Sequence, residues 1–329
     1  MAAAGGGVYD PCMTIGIQLS FREPRELVAA VQRAEERGVD AVWLPQGGMT
    51  PDTMMLLSAA AMVTSRIKFG TSIIPTWPRA PIFIAQQVMA LDGLAPGRFR
   101  LGIGPSTPAA MGPMYGVDYR EPMAHLREYL TILRAFLHEG SVDFQGKFAG
   151  AKVRLREPEL LSRQVPVMAS ALSPGAYRVC GEMADGAISW MSPWRYLRDT
   201  ALPALREGAA AKGREAPPLI AHVPVCLDTD PDVVRAAVQD QVGAYGKFPV
   251  YQAMFRASGY GDTSEAYPQE LIDELVLSGD EDSVIERFGQ MQREGVGEIM
   301  AHCIYVGTDR ATYLDRLFDL LARASRELG

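Results

Sequence analysis

Short apolar runs alternate along the chain with stretches whose apolar residues recur at the helical period, and the alternation continues to the C-terminus. The runs read as buried strands and the periodic stretches as amphipathic helices. Strands are predicted over residues 13–19, 41–44, 68–74, 99–103, 166–169, 186–189, 219–227 and 298–304. Helices are predicted over 24–37, 52–63, 82–94, 121–138, 174–183, 197–213, 231–245, 250–257, 268–276, 282–294 and 310–328. In the first helix Leu27, Val28, Val31 and Ala34 share a face, and Gly38 closes it as a glycine just past a helix end does. Pro174 opens another helix, at a position where its missing N–H is harmless. A polar, irregular segment at 141–155 interrupts the rhythm after the fourth helix and reads as an insertion. Residues 258–267 form a polar, glycine-containing stretch, a candidate lid.

Eight strand–helix units without a break in composition predict an α/β fold: one (β/α)8 TIM barrel over residues 13–329, with residues 1–12 as a flexible N-terminal extension. An open doubly wound sheet is the alternative, and the count of eight favours the closed barrel.

Composition narrows the function classes. The 329 residues are 48% hydrophobic and 22% charged, enough for a large core and too apolar for a disordered chain. The net charge of −7, with no basic face, speaks against nucleic acid as a partner. No apolar run reaches the roughly 18 residues a membrane span needs, and the alanine- and glycine-rich start lacks the features of a signal peptide. A cytoplasmic enzyme is the expectation. Cys12, Cys180, Cys226 and Cys303 have no CxxC spacing, and His125, His138, His222 and His302 form no metal-binding pattern, so no metal site is expected.

A barrel enzyme carries its chemistry at the C-terminal ends of its strands. Here those ends hold Trp43 and Gln46 after the second strand, Trp77 and Arg79 after the third, Gly104, Pro105 and Ser106 after the fourth, residues 170–175 after the fifth, and Trp190 and Met191 after the sixth. They are small, hydroxylic or aromatic, with almost no titratable group. That rim suits a large flat ligand, whereas a hydrolase would need paired carboxylates, a nucleophile with its base, or metal ligands. It points to a cofactor that carries the chemistry while the protein orients it. Residues 170–175 make the best anion site, because hydroxyls and N–H groups gather at the positive end of a helix. Ser173 reads equally as the cap of that helix, and the two roles are compatible. Gly102 and Gly104 lack the third glycine of a dinucleotide fingerprint and also suit a close backbone approach.

The block GTSIIPTWPRAPIFIAQQVMALDGLAPGRFRLGIG (residues 70–104), with VPVMASALSPGAYRVCGEMADG (165–186), GDEDSVIERF (279–288) and REGVGEIM (293–300), resembles the luciferase-like monooxygenase family. The resemblance runs from about Met13 to Leu328. It is closest to the branch that uses the deazaflavin coenzyme F420, through WLPQ (43–46), residues 111–116, HLREYL (125–130) and ISWMS (188–192). It implies F420 as cofactor, with FMN as the alternative, and a homodimer formed through helices on one side of the barrel. It implies a non-prolyl cis peptide at Ser72–Ile73, forming a bulge behind the cofactor's central ring. Gly104, Pro105 and Ser106 would line the cofactor, and Ala171, Leu172 and Ser173 would meet its phosphate side. Substrate would lie over the ring near Trp43, Gln46, Trp77, Trp190 and Met191.

Two departures matter. Many F420-dependent members carry Asp-His after the second strand, where this chain has Pro45 and Gln46, and a glutamate after the fourth-strand glycines, where Thr107 is nearest. Both weigh against the family's sugar-phosphate and alcohol dehydrogenase activities. Catalytic candidates are then Gln46, Tyr115 and His125, with Tyr245 a further proton source. Tyr115 equally suits a cover over the barrel mouth, Tyr245 the core, and His125 a packing or ion-pair role. Trp43 suits barrel packing nearly as well as substrate contact, and Arg79 an ion pair with a surface acid. The expected activity is hydride transfer from reduced F420 to an activated C=C or C=N bond of a small molecule or peptide natural product, such as a dehydroamino acid. The alternatives are an FMN-dependent monooxygenase and a non-catalytic cofactor-binding barrel.

Overall fold

The computed structural model describes residues 14–162 and 165–329. The proposed extension at 1–12, Cys12 and the first residue of the first predicted strand lie outside them. Eight parallel strands form the barrel: β1 (Thr14–Gln18), β2 (Ala41–Leu44), β3 (Lys68–Thr71), β4 (Phe99–Gly104), β5 (Val167–Ser170), β6 (Ala187–Ile188), β7 (Leu219–Cys226) and β8 (Glu298–Cys303). Each pairs with the next, and β8 pairs back onto β1, which closes the sheet. The helices cover its outside, as the alternation of patterns requires.

Local signals explain the boundaries. The helix Pro24–Arg37 ends at Gly38, whose φ of 88° a side chain would oppose. Asp52 caps Thr53–Ala61 by accepting from the Met55 N–H at 3.1 Å. The Gly38 end matches the reading of the sequence.

Several expectations need correction. The third predicted strand is two pieces, Lys68–Thr71 and Ile74–Pro75, because the chain bulges between them at a cis Ser72–Ile73 bond. The helix predicted over 121–138 runs Pro122–Arg134 and widens into a π turn at Ala135–Glu139. The insertion is an antiparallel hairpin of Ser141–Gln145 with Gly150–Arg154. A helix at Pro108–Tyr115 was not anticipated: Thr107 caps it and Pro108 opens it, so Tyr115 ends a helix rather than sitting in a loop. The proposed lid at 258–267 is pinned at two points, since Thr263 and Tyr267 are buried and the Tyr267 hydroxyl donates to the Val242 carbonyl at 3.0 Å.

Side chains alternate along each strand, so every second residue points into the barrel. They stack in three layers. Arg100 and Glu298 form an ion pair at the base. Trp43, Met168, Ile188, Ile220 and Met300 fill the middle with no more than 3% exposure. The mouth holds Gln18, Ser170, Trp190, His222 and His302, the next inward positions of their strands. A second, larger core lies between strands and helices.

Candidate active site

The mouth layer draws together residues that are far apart in sequence. The Trp190 ring lies 4.1 Å from His222 and 5.0 Å from His302, centroid to centroid, and Tyr245 meets its edge at 5.4 Å. His302 Nδ1 is 2.5 Å from Gln18 Oε1. Gln18 Nε2 donates to the Leu19 carbonyl at 3.2 Å. A carbonyl only accepts, so this bond fixes which end of the amide is oxygen, and His302 must therefore donate from Nδ1. Its Nε2 carries the lone pair. His222 is buried, and its Nε2 has no hydrogen-bond partner.

Burial keeps this cluster uncharged. It pushes His302 down to about 4 and His222 well below the usual imidazole range, with the neighbouring His302 adding to the second effect. Burial pushes the Tyr245 phenol up, so it keeps its proton.

The predicted cofactor residues frame the opposite wall. The Ser72–Ile73 bond is cis, and Ile73 packs against the interior side chains. The Ser72 hydroxyl is buried without a hydrogen-bond partner. Gly104 adjoins the bulge: a Cβ there would sit 2.1 Å from Ser170 Oγ and 3.2 Å from Ile73 Cγ1. Its carbonyl accepts from the Thr76 N–H at 3.0 Å, tying β4 to the bulge. Pro105 is buried, and Ser106 has a φ of 59°. Ala171 is buried, Leu172 offers its carbonyl to the Tyr196 hydroxyl, and Ser173 caps the helix Pro174–Met183 through the Ala176 N–H. A Cβ at Gly175 would meet only Ser173 Oγ at 4.0 Å, so the start of that helix is open. A close-packed wall at the cis bulge, an orphaned hydroxyl and an open helix start fit a flat ring with a phosphate-bearing tail.

Other expected site residues have different duties. Trp43 has no exposed surface. It donates to Glu298 at 3.2 Å, and the Arg100 guanidinium lies 4.4 Å over its ring, so it is barrel core and not a substrate contact. Met191 is likewise corrected: at φ 48° its side chain turns into the core and is fully buried. Gln46 accepts from the Thr53 N–H at 2.9 Å, which commits its oxygen to a helix start. Arg79 pairs with Asp52 at 2.7 Å. His125 stacks flat on Trp77 at 3.8 Å, and its Nε2 lies 3.0 Å from Thr76 Oγ1. Burial pushes that imidazole down to about 4. Tyr119 and Phe148 complete this second aromatic group. Tyr115 is 40% exposed at its helix end.

Gln18, His222 and His302 went unrecognised in the sequence. Their signal was present: each is the polar inward residue of an otherwise apolar strand end, in IGIQ, AHVPVC and IMAHC.

The sequence matches the family described as luciferase-like monooxygenase over residues 10–298. It is similar to the F420-dependent glucose-6-phosphate dehydrogenase of Beutenbergia cavernae, 30% identical over 318 residues, covering 89% of this chain and 91% of the relative. In fold it is similar to the coenzyme F420-dependent tetrahydromethanopterin reductase of Methanopyrus kandleri, with a TM-score of 0.79 at 21% identity over 96% and 99% of the two chains. It is also similar to an F420-dependent secondary alcohol dehydrogenase in complex with an F420–acetone adduct, with a TM-score of 0.77 at 18% identity over 95% and 99%. With the family matched along most of its length and the barrel closed as eight strands, this chain belongs to the luciferase-like monooxygenase family.

Proposed function

We propose that the protein is an F420-dependent oxidoreductase, and more finely a reductase of an activated C=C or C=N bond in an uncharged small molecule or peptide. What carries the cofactor assignment is the end-to-end likeness to the F420-dependent enzyme of Beutenbergia cavernae. The orphaned Ser72 hydroxyl beside the cis bulge and the open helix start at Ser173–Gly175 support it. When bound, reduced F420 supplies a hydride. The protein's part is to hold the acceptor in place and keep water away, which together account for much of such a rate enhancement. Ser72, Ile73, Gly104, Pro105 and Ser106 would hold the ring, and Ala171, Leu172 and Ser173 the phosphate side. The uncharged mouth supports a neutral acceptor, since Gln18, Trp190, His222, Tyr245 and His302 offer no cation to a sugar phosphate. Natural-product tailoring in the cytoplasm is the setting we assign.

A paired fluorescence titration tests this. The protein is expected to bind F420 tightly and FMN weakly. Tight FMN binding instead would favour a monooxygenase, and binding of neither would favour a non-catalytic barrel.

We also assign a homodimer. The adjoining helices Thr53–Ala61 and Pro81–Leu94 expose Met55 at 73% and Phe83 at 54%, and a second copy would cover this face. Light scattering is expected to give a dimer for the native protein and a monomer for Met55→Asp with Phe83→Asp. A native monomer would refute the assignment.

A further inference from the structure

We propose that His302 is the catalytic acid–base group of this protein, exchanging through Nε2 the proton that accompanies hydride transfer, with Gln18 as the positioning residue that fixes its tautomer. The inference rests on the F420-dependent reading above and narrows it. The preferred substrate couple is one whose heteroatom gains or loses a proton, a C=N bond with its amine, rather than a C=C bond.

Three observations lead there. The Leu19 carbonyl orients the Gln18 amide, and the amide oxygen accepts a hydrogen bond from the Nδ1–H of His302. A lone pair is therefore left at Nε2, on an inward residue at the mouth end of β8. The position after β2 where many relatives keep a histidine holds Gln46, whose oxygen is committed to Thr53. A neutral imidazole with one nitrogen anchored is the arrangement in which the other nitrogen can take and return a proton.

The surroundings of His302 are uncharged. Gln18 faces it from β1, His222 from β7, Trp190 from beyond β6 and Tyr245 from the turn Gly243–Lys247; the titratable ones are His222 and Tyr245. The nearest charges on its own strand line belong to the Arg100–Glu298 pair, below Met300.

The balance is simple. In the oxidative direction the substrate N–H bond breaks toward Nε2 as its carbon gives up a hydride to F420. The substrate loses two electrons, F420 gains them, and the imidazolium releases its proton to solvent. In the reductive direction the imidazolium proton passes to the imine nitrogen. The resting imidazole is neutral near pH 7, so oxidation finds its base ready, whereas reduction quickens as pH falls and the imidazolium fills.

The test uses F420-loaded protein with 2-methyl-1-pyrroline as C=N probe and 2-cyclohexen-1-one as C=C probe. His302→Asn is expected to slow pyrroline reduction about hundredfold and to flatten its pH dependence, while F420 fluorescence titrations are unchanged. Gln18→Glu places a carboxylate on the Nδ1 proton and so raises the imidazole pKa. It is expected to speed pyrroline reduction at pH 7 about tenfold, a gain that a merely structural role would not give. Preference for the enone, or an unaltered pH profile in both variants, would overturn the proposal. Nitrogen-15 spectra of histidine-labelled, F420-loaded protein decide it even if neither probe is reduced. A neutral Nδ1–H form at pH 7, lost in His302→Asn, supports it, and an Nε2–H form refutes it. Failure of the underlying reading shows separately, as absence of F420 binding.

Discussion

Arg100→Ala is expected to cost about 3–5 kcal/mol of folding stability, because it removes the cation facing a carboxylate that has no exposed surface. Such a loss is a large share of what holds a domain together. Glu298 also takes a hydrogen bond from the Trp43 indole, and Arg100 lies over the same ring, so both Glu298 and Trp43 lose a neighbour at once. Urea unfolding should show a lower midpoint at an unchanged slope. The paired change Arg100→Met with Glu298→Met should recover most of the loss, since a buried ion pair replaced by apolar groups of similar volume is often neutral or better. An Arg100→Ala protein with the native midpoint would show that the pair contributes little.

Gly104→Val is expected to slow F420-dependent turnover by about a hundredfold. A Cβ at Gly104 would overlap Ser170 Oγ at 2.1 Å and press Ile73 at 3.2 Å. The same residue holds the bulge through its carbonyl and the Thr76 N–H. Relieving the overlap must move Ser170 or the bulge at Ile73, and with the proposed ring lying there a displacement of about 1 Å costs on the order of a hundredfold in rate. Overpacking adds about 1–3 kcal/mol of destabilisation. F420 titration and thermal melting together separate the two effects. Gly112→Ala is the control, since a Cβ there meets nothing within 4 Å. Native F420 affinity in Gly104→Val would show that the ring does not lie against the Gly104 wall.

The barrel itself was legible because its signals are local. Gly38, Asp52 and Ser173 mark helix ends through their own backbone geometry or hydroxyl and carboxylate chemistry. The cis bond lies at the residues that the family resemblance implied. The mouth was not legible. A strand in a closed barrel is apolar on both faces, one toward the helices and one toward the interior, so the two-residue period that reveals direction is absent. His222, His302 and Gln18 therefore looked like isolated polar residues in apolar runs. Trp43 failed for the same reason, because its strand position did not show that it lies one layer below the mouth. The helix Pro108–Tyr115 was hidden by Gly112 and Pro113 inside it, and Thr107 and Pro108, which start it, outweigh them.

Glu298, Met300 and His302 are consecutive inward residues of β8, so one thioether stands between a full ion pair and a neutral imidazole. With Trp43, Met168, Ile188 and Ile220 it forms an apolar floor beneath the mouth. The opposite charges of the pair largely cancel beyond that floor, so burial and not the ion pair sets the low pKa of His302. Chemistry at the rim can thus be retuned by single substitutions while the foundation stays as it is.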